Sequence, residues 1–443
     1  MFRSRILASA ASLIILTGCS WNPVDDVLGG SKSAAQPPTG LVVGDEPFAV
    51  KAGASILAQG GSAADAATAM YFALSVTYPV AAGLGGGGLC IVHDPAANAN
   101  VAYTFLARDS SRGGAYAVPA NVRGFAAMQT AYGKAPWQRD VAPGEGYAAT
   151  GFPISNALAT RIASSADVVR LDANLASEFL DESGQVKQAG TIVSNRDLAE
   201  TLAAVRTLGW QGFYTKTVAQ KLSAYAGTAT SGISYAELAA ISTASEPASM
   251  TSVGSATAYM PSSRIGAGAF ASRLLQAISA GGDLPAATKQ TLDGFGIKSL
   301  PRDLGSTGFA AVDTSGQAVA CAVTMNGPFG SGHTATGTGV TLARAPSSGQ
   351  AGYSAAFLTP VIATSNGTVS MAGAGAGGPL GTASVLHALV RIGRGETIAQ
   401  RGELGTTGLA PYNTVNVIAC HSDGCTPLSD PGMNGLGTAA GSN

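Results

Sequence analysis

Leu304-Gly305-Ser306-Thr307-Gly308-Phe309-Ala310-Ala311-Val312-Asp313 is the stretch on which the reading of this chain turns. A corner of small residues, Gly305 to Gly308, runs straight into an apolar strand. A turn at Asp313-Thr314-Ser315-Gly316-Gln317 follows, then a second strand from Ala318 to Met325 that ends on Asn326. The pattern predicts a hairpin with a hydroxyl at its head and a polar Thr324-x-Asn326 pair on the neighbouring strand. A hydroxyl there, next to a glycine that permits close approach, suits a backbone cut before the hydroxyl residue. The freed amine would then act as that residue's own base.

Working outward, Gly337–Ala343 alternates like a strand, and Pro360–Ala363 with Val369–Gly373 reads as another hairpin. Gly375-Ala376-Gly377-Gly378-Pro379 opens a helix, Leu380–Ile392. Asn413–Ala419 is expected to be the last strand, and Ser429–Asn443 a glycine-rich tail. Upstream, Pro47–Gln59 has helical spacing and stops at Gly60-Gly61. Ser62-Ala63-Ala64-Asp65 opens a second helix with a capping-box pattern, and that helical region ends by Pro79. Val101–Ala107 is a strand delivering Arg108-Asp109. Residues 118–299 read largely as helices, with one strand-like piece at Ser255–Met260.

Gly83-Leu84-Gly85-Gly86-Gly87-Gly88 satisfies G-x-G-x-x-G, but a helix precedes it and a strand, Leu89–His93, follows. A dinucleotide site needs the opposite order, so this is a tight helix-to-strand turn.

The 25 basic and 26 acidic residues leave a net charge of −1 with no basic stripe, which argues against a nucleic-acid partner. Charged residues are only 12% and glycines number 59, as expected for a tightly packed sheet-and-helix protein with many close backbone approaches. Met1-Phe2-Arg3-Ser4-Arg5 is a basic head, and Ile6–Leu16 an apolar run too short to span a bilayer. With Leu16-Thr17-Gly18-Cys19 it resembles a bacterial lipoprotein signal. This predicts a signal peptide over 1–18, lipid on Cys19 and a flexible tether over 19–43. It also predicts a periplasm-facing location in the cell envelope, with Ser20 favouring the outer membrane. Cys420 and Cys425 bracket a turn and suit a small-loop disulfide. Cys90 and Cys321 lie in apolar strands and are expected as buried free thiols. The cysteines and the four histidines are too scattered for a zinc site, and no metal is expected.

The run Ala49–His93 resembles the opening of the γ-glutamyltranspeptidase family. The matching words are Ala52-Gly53-Ala54-Ser55-Ile56-Leu57, Gly60-Gly61-Ser62-Ala63-Ala64-Asp65-Ala66-Ala67 and Gly83-Leu84-Gly85-Gly86-Gly87-Gly88. Later words agree in order: Tyr132-Gly133-Lys134-Ala135-Pro136-Trp137, Asp197-Leu198-Ala199-x-Thr201-Leu202, Phe213-Tyr214 and Val312-Asp313-x-x-Gly316-x-Ala318-Val319. The resemblance implies an α/β (α+β) fold, the four-layer αββα sandwich of N-terminal-nucleophile hydrolases. It implies one chain cut into a region over 44–305 and a second over 306–443, the two fragments staying associated, with no cofactor.

The same resemblance places the attacking hydroxyl on Ser306, with Thr307 the alternative if the register slips by one. Thr324 and Asn326 fall on the family's Thr-x-Asn, which positions the nucleophile and binds donor. Gly377 and Gly378 fall on its oxyanion-hole amides, and Arg108 on the arginine that grips the donor α-carboxylate. The implied substrate is a small peptide or amide, γ-glutamyl or another carboxylate-bearing one. Three positions depart. The family's paired acidic motif, which holds the donor amine, is replaced by Ala343-Arg344-Ala345-Pro346-Ser347-Ser348-Gly349. Its Ser-Ser pair is Ala356-Phe357, and a histidine two places after the nucleophile is Gly308. These departures also admit a second reading, an envelope lipoprotein of the same fold that binds without turnover.

Overall fold

The computed structural model describes residues 39–228, 230–404 and 412–441. The expected hairpin forms from strands Ser306–Val312 and Ala318–Thr324, paired antiparallel with Ser306 opposite Thr324 and Val312 opposite Ala318. Every residue of both strands is buried, as the unbroken run of small and apolar side chains requires. Ser306 and Thr307 therefore belong to the strand and not to a corner before it. The turn holds itself through Asp313, whose Oδ1 accepts from the backbone N–H of Ser315 at 2.8 Å and of Gln317 at 3.1 Å.

That turn also docks a helix. The N–H groups of Ala63 and Ala64, unsatisfied within their own helix, donate to Asp313 Oδ2 at 3.2 Å and Gln317 Oε1 at 3.0 Å. The helix, Ala63–Thr77, begins with the expected capping box. Asp65 N donates to Ser62 Oγ, and Asp65 Oδ2 accepts from Ser62 N at 2.8 Å. It is buried on all sides, which its many alanines allow.

Among the described residues, seven strands make the first sheet. Their order is Leu436–Ala439, Leu41–Gly44, Ser306–Val312, Ala318–Thr324, Gly87–Asp94, Ala99–Phe105 and Ala244–Pro247. Six make the second: Gly424–Leu428, Thr414–His421, Thr368–Ala376, Thr359–Ser365, Ala256–Met260 and Ser249–Val253. All neighbours are antiparallel. The sheets face each other through Ile91, Ala310 and Ala320 on one side and Ile362, Ala372 and Ile418 on the other. Helices Pro47–Ala58 and Ala63–Thr77 cover the outer face of the first sheet. Helices Gly266–Ser279 and Pro379–Gly393 cover that of the second. The result is the αββα order of layers.

The structure corrects several expectations. The tether does not reach residue 43, because Leu41–Gly44 is a buried strand wedged between Leu436–Ala439 and Ser306–Val312. The expected signal peptide, Cys19 and the rest of the expected tether, up to residue 38, lie outside the described residues. Thr414–His421 is not the last strand, since Gly424–Leu428 and Leu436–Ala439 follow it. Within Gly337–Ala343 only Val340–Thr341 forms a strand, paired with Thr334–Ala335. Cys90 and Cys321 are not free thiols. They oppose each other on adjacent strands and form a disulfide, as do Cys420 and Cys425.

Candidate active site

Ser306 opens a central strand of the first sheet and is fully buried. Its Oγ donates to Thr324 Oγ1 at 2.9 Å, the partner directly across the pair, and lies 3.3 Å from the Leu304 carbonyl oxygen. Thr324 Oγ1 also accepts from Asn326 N at 2.9 Å and donates to the Gly305 carbonyl oxygen at 3.1 Å. That oxygen takes a second bond from Met325 N at 2.9 Å. Two donors thus converge on the carbonyl that precedes Ser306, and the Ser306 hydroxyl is hydrogen-bonded to one of them.

Gly305 itself has φ +61°, and a Cβ there would lie 1.9 Å from the Gly327 carbonyl oxygen. Only glycine fits this bend. Asn326 also holds a left-handed backbone, φ 59°, and its Nδ2 donates to the Arg344 carbonyl at 2.9 Å.

Thr307 points to the other face of the strand, as the two-residue period demands. Its Oγ1 donates to Asp45 Oδ2 at 2.6 Å, while Asp45 Oδ1 accepts from Asn416 Nδ2 at 2.8 Å and from the Thr414 hydroxyl. Burial pushes the Asp45 carboxyl above its ordinary pKa, and these hydrogen bonds oppose the rise only in part. Ser306 and Thr307 are adjacent in sequence but serve two separate hydrogen-bond networks.

Gly377 and Gly378 join strand Thr368–Ala376 to helix Pro379–Gly393. Their φ values, +78° and +153°, and the Tyr412 carbonyl 1.9 Å from a Cβ placed on Gly377 exclude side chains at the first and strain them at the second. Tyr412 places the pair at the same end of the sandwich as Ser306. Arg161 lies 5.4 Å over the Tyr412 ring and donates to the Ser306 carbonyl at 3.2 Å.

A cleft of about 490 Å³ opens beside these residues, lined by Arg302, Asp303, Leu304, Asn326, Arg344 and Tyr412 among others. Ser306 does not line it. Asp303 and Leu304 form the partition between the two, and Ser354 Oγ holds the Leu304 carbonyl at 2.9 Å. Arg108 stands elsewhere. Its half-exposed guanidinium is paired with Glu237 Oε1 at 2.9 Å, and among the described lining residues of the cleft it is absent. Asp109, beside it, accepts from Ser347 N and Oγ at 3.1 and 2.9 Å.

Two of the departures have packing reasons. A Cβ on Gly308 would meet the Ala374 Cβ of the facing sheet at 2.8 Å, so no larger residue fits there. Phe357 is buried edge-on against Phe270, centroids 4.9 Å apart.

No motif or spacing singles out Arg161, on helix Asn156–Ser164. An arginine on a helix reads as a surface charge, yet this side chain is fully buried. Its Nε donates to Asp303 Oδ2 at 3.1 Å, and its Nη2 to Asp303 Oδ1. Burial alone would lower its pKa, but the Asp303 carboxylate and the Tyr78 hydroxyl outweigh that and raise it. Among the described residues no group of three or more His, Cys, Asp or Glu side chains is placed to hold a metal ion.

Two stacked antiparallel sheets between helical layers, with a hydroxyl at the head of a central strand, define the N-terminal-nucleophile hydrolase fold. The same architecture is found in the cephalosporin acylase of Bacillus halodurans, with a TM-score of 0.73 over 97% of this chain and 100% of that one, at 15% identity. The family model described as gamma-glutamyltranspeptidase matches residues 49–291, more than half of the chain. The chain belongs to the γ-glutamyltranspeptidase family. Glutathione hydrolase 2 of Arabidopsis thaliana is 32% identical over 195 residues, 40% of this chain and 33% of that protein. The glutathione hydrolase proenzyme of Bacillus subtilis (strain 168) is 29% identical over 206 residues, 42% and 35% of the two chains. The match thus spans about a third of each relative. The family-model match also ends before Ser306.

Proposed function

We propose that the chain is the precursor of an amide hydrolase or acyltransferase, activated by its own cut between Gly305 and Ser306. The observation that carries this reading is the Gly305 carbonyl, held by Met325 N–H and the Thr324 hydroxyl beside the Ser306 oxygen. Ser306 Oγ attacks the Gly305 carbonyl carbon, and its proton is relayed through the Thr324 hydroxyl, to which it already donates, towards the Ser306 nitrogen. The oxygen of the tetrahedral adduct keeps both donors, the arrangement that stabilises a developing oxyanion. The C–N bond breaks as the Ser306 nitrogen takes that relayed proton, leaving an ester between Gly305 and Ser306 Oγ. Water hydrolyses the ester, giving a Gly305 carboxylate and a Ser306 with a free amine.

The mature Ser306 then attacks a substrate amide, with its α-amino group as base. Such a group has an unperturbed pKa of about 7.7–8.0, suited to neutral pH. Asn326 positions donor, and the Gly377 and Gly378 amides take the second oxyanion. The substrates are γ-glutamyl or related carboxylate-bearing amides, in keeping with the family and with the arginines of the cleft. The lipid on Cys19 would hold the enzyme at the periplasmic face of the envelope. Loss of radiolabelled palmitate from Cys19→Ala tests that anchor.

The deciding experiment is intact-mass analysis of reduced, purified full-length chain, followed by turnover of a γ-glutamyl anilide. A fragment beginning at Ser306 and turnover lost in Ser306→Ala are expected. A wild-type chain that stays whole overturns the reading and favours the binding lipoprotein, whereas a cut that survives Ser306→Ala overturns Ser306 as the attacking residue.

A further inference from the structure

Arg161 has no part in the cut just described, yet its main polar partners lie on the strip of chain that is cut. Asp303 takes two of its N–H groups, and the Ser306 carbonyl a third. Tyr78 adds a hydroxyl at 3.5 Å and a ring at 5.3 Å. Asp303 is in turn fixed by the Gly305 N–H at 2.7 Å. The strip therefore presents a carboxylate seated on a buried guanidinium, a short spacer, and a carbonyl seated on two donors next to Ser306. These are the features of an acyl donor that carries a second carboxylate.

The cut changes the balance of charge at this point. Gly305 becomes a carboxylate next to the Asp303 carboxylate, and like charges repel at such range. The strip is also the end of an exposed loop, since Lys298, Ser299, Pro301 and Arg302 are exposed. Once it swings out, Ser306, Arg161 and the cleft are joined, because Asp303 and Leu304 were the partition. A buried guanidinium without a partner is strongly unfavourable, so the vacated place has high demand for another carboxylate.

Resting on the proposed cut, we propose that Arg161 is the carboxylate receptor for the acyl donor in the mature enzyme, and that Asp303 is the stand-in that occupies it until the chain is cut. The substrate class is amides of short dicarboxylic acids, glutaryl or γ-glutamyl in type. Arg161 replaces Arg108 in this role.

The test compares glutaryl and valeryl p-nitroanilides, which differ by one carboxylate. In the cut wild-type enzyme the ratio of kcat/KM should favour glutaryl. In Arg161→Gln that ratio should fall by roughly 10- to 100-fold, the loss expected for hydrogen bonds to a charged group, through KM rather than kcat. A second arm needs no turnover and decides if Arg161→Gln stays uncut. By calorimetry, glutarate should bind cut wild type and fail to bind uncut Ser306→Ala. Binding should return in uncut Ser306→Ala/Asp303→Gly, and vanish again when Arg161→Gln is added. Equal glutarate affinity in cut wild type and uncut Ser306→Ala overturns the proposal. So does a ratio that survives Arg161→Gln and collapses in Arg344→Gln, which would seat the carboxylate in the open cleft. A wild-type chain that is never cut would be seen first by mass, and removes the functional reading together with this one.

Discussion

Ser306 and Thr324 face each other across an antiparallel pair with their hydroxyl oxygens 2.9 Å apart. Thr324 also donates to the Gly305 carbonyl, so in the proposed cut one hydroxyl would both relay the Ser306 proton and steady the adduct. Thr324→Val keeps the shape and removes the hydroxyl. The cut should slow by about 100- to 1,000-fold, the usual loss for one oxyanion donor. The appearance of the Ser306 fragment with time, followed by intact mass, checks this.

Thr307 answers to Asp45 instead. Thr307→Val should be cut at the same bond but lose about 1–3 kcal/mol of stability, because a buried carboxyl loses a donor. Urea unfolding of Ser306→Ala with and without Thr307→Val measures the loss without interference from the cut. A Thr307→Val chain that stays whole would move the nucleophile to Thr307.

Gly305→Ala places a side chain at φ +61° and 1.9 Å from the Gly327 carbonyl. The left-handed backbone alone costs about 1–3 kcal/mol in a non-glycine residue, and the clash adds to it. The variant should remain uncut with a lowered Tm, read by mass and by thermal melting.

Glu46 is buried, with Oε2 accepting from Ala49 N at 2.8 Å and from Thr77 Oγ1 at 2.7 Å. Burial pushes its pKa up from 4.5 to about 7, against the smaller downward pull of these bonds. The folded state therefore holds a proton that the unfolded chain releases earlier. Its contribution is complete below about pH 4.5 and is lost as the pH rises towards about 7. In Glu46→Gln the fall in Tm over this window should be shallower than in wild type. Taking the difference between the two profiles removes the other titrating groups. Identical slopes would show that Glu46 is ionised throughout.

The Cys90–Cys321 disulfide ties a strand before the proposed cut to one after it, 231 residues apart. On a denaturing gel without reductant the cut enzyme should run as one band, and with reductant as two. Cys90→Ser should give two bands in both cases. It should also unfold more easily, by about 2–5 kcal/mol if the bond behaves as native disulfides usually do. The Cys420–Cys425 bridge lies wholly after the cut and cannot hold the fragments together.

What was legible in the sequence was local. Ser62 and Asp65 announce their helix because both halves of the capping box lie within four residues. The Ser306–Thr324 hairpin is legible because its turn residues and its apolar runs are contiguous. What was missed depends on partners distant in the chain. Leu41–Gly44 is too short to show a period, and becomes a strand because Val312 to Phe309 and Ala439 to Leu436 flank it. Leu436–Ala439 reads as a tail for the same reason. The cysteine pair came close as single residues in two strands, but only register sets Cys90 opposite Cys321. Arg161 carries no sequence signal at all, since its meaning comes from Asp303, 142 residues away.

The strand order has a consequence for how such a protein can be made. Leu41–Gly44 lies between two strands from beyond residue 305, and Thr359–Ser365 pairs with Ala256–Met260 from before it. Each product of the cut would carry only a broken half of both sheets, with open hydrogen-bonding edges where the other half belongs. The two pieces are woven like fingers of clasped hands. Under the proposed cut, synthesis as a single polypeptide would bring them into that grip, and scission would come only after it had closed.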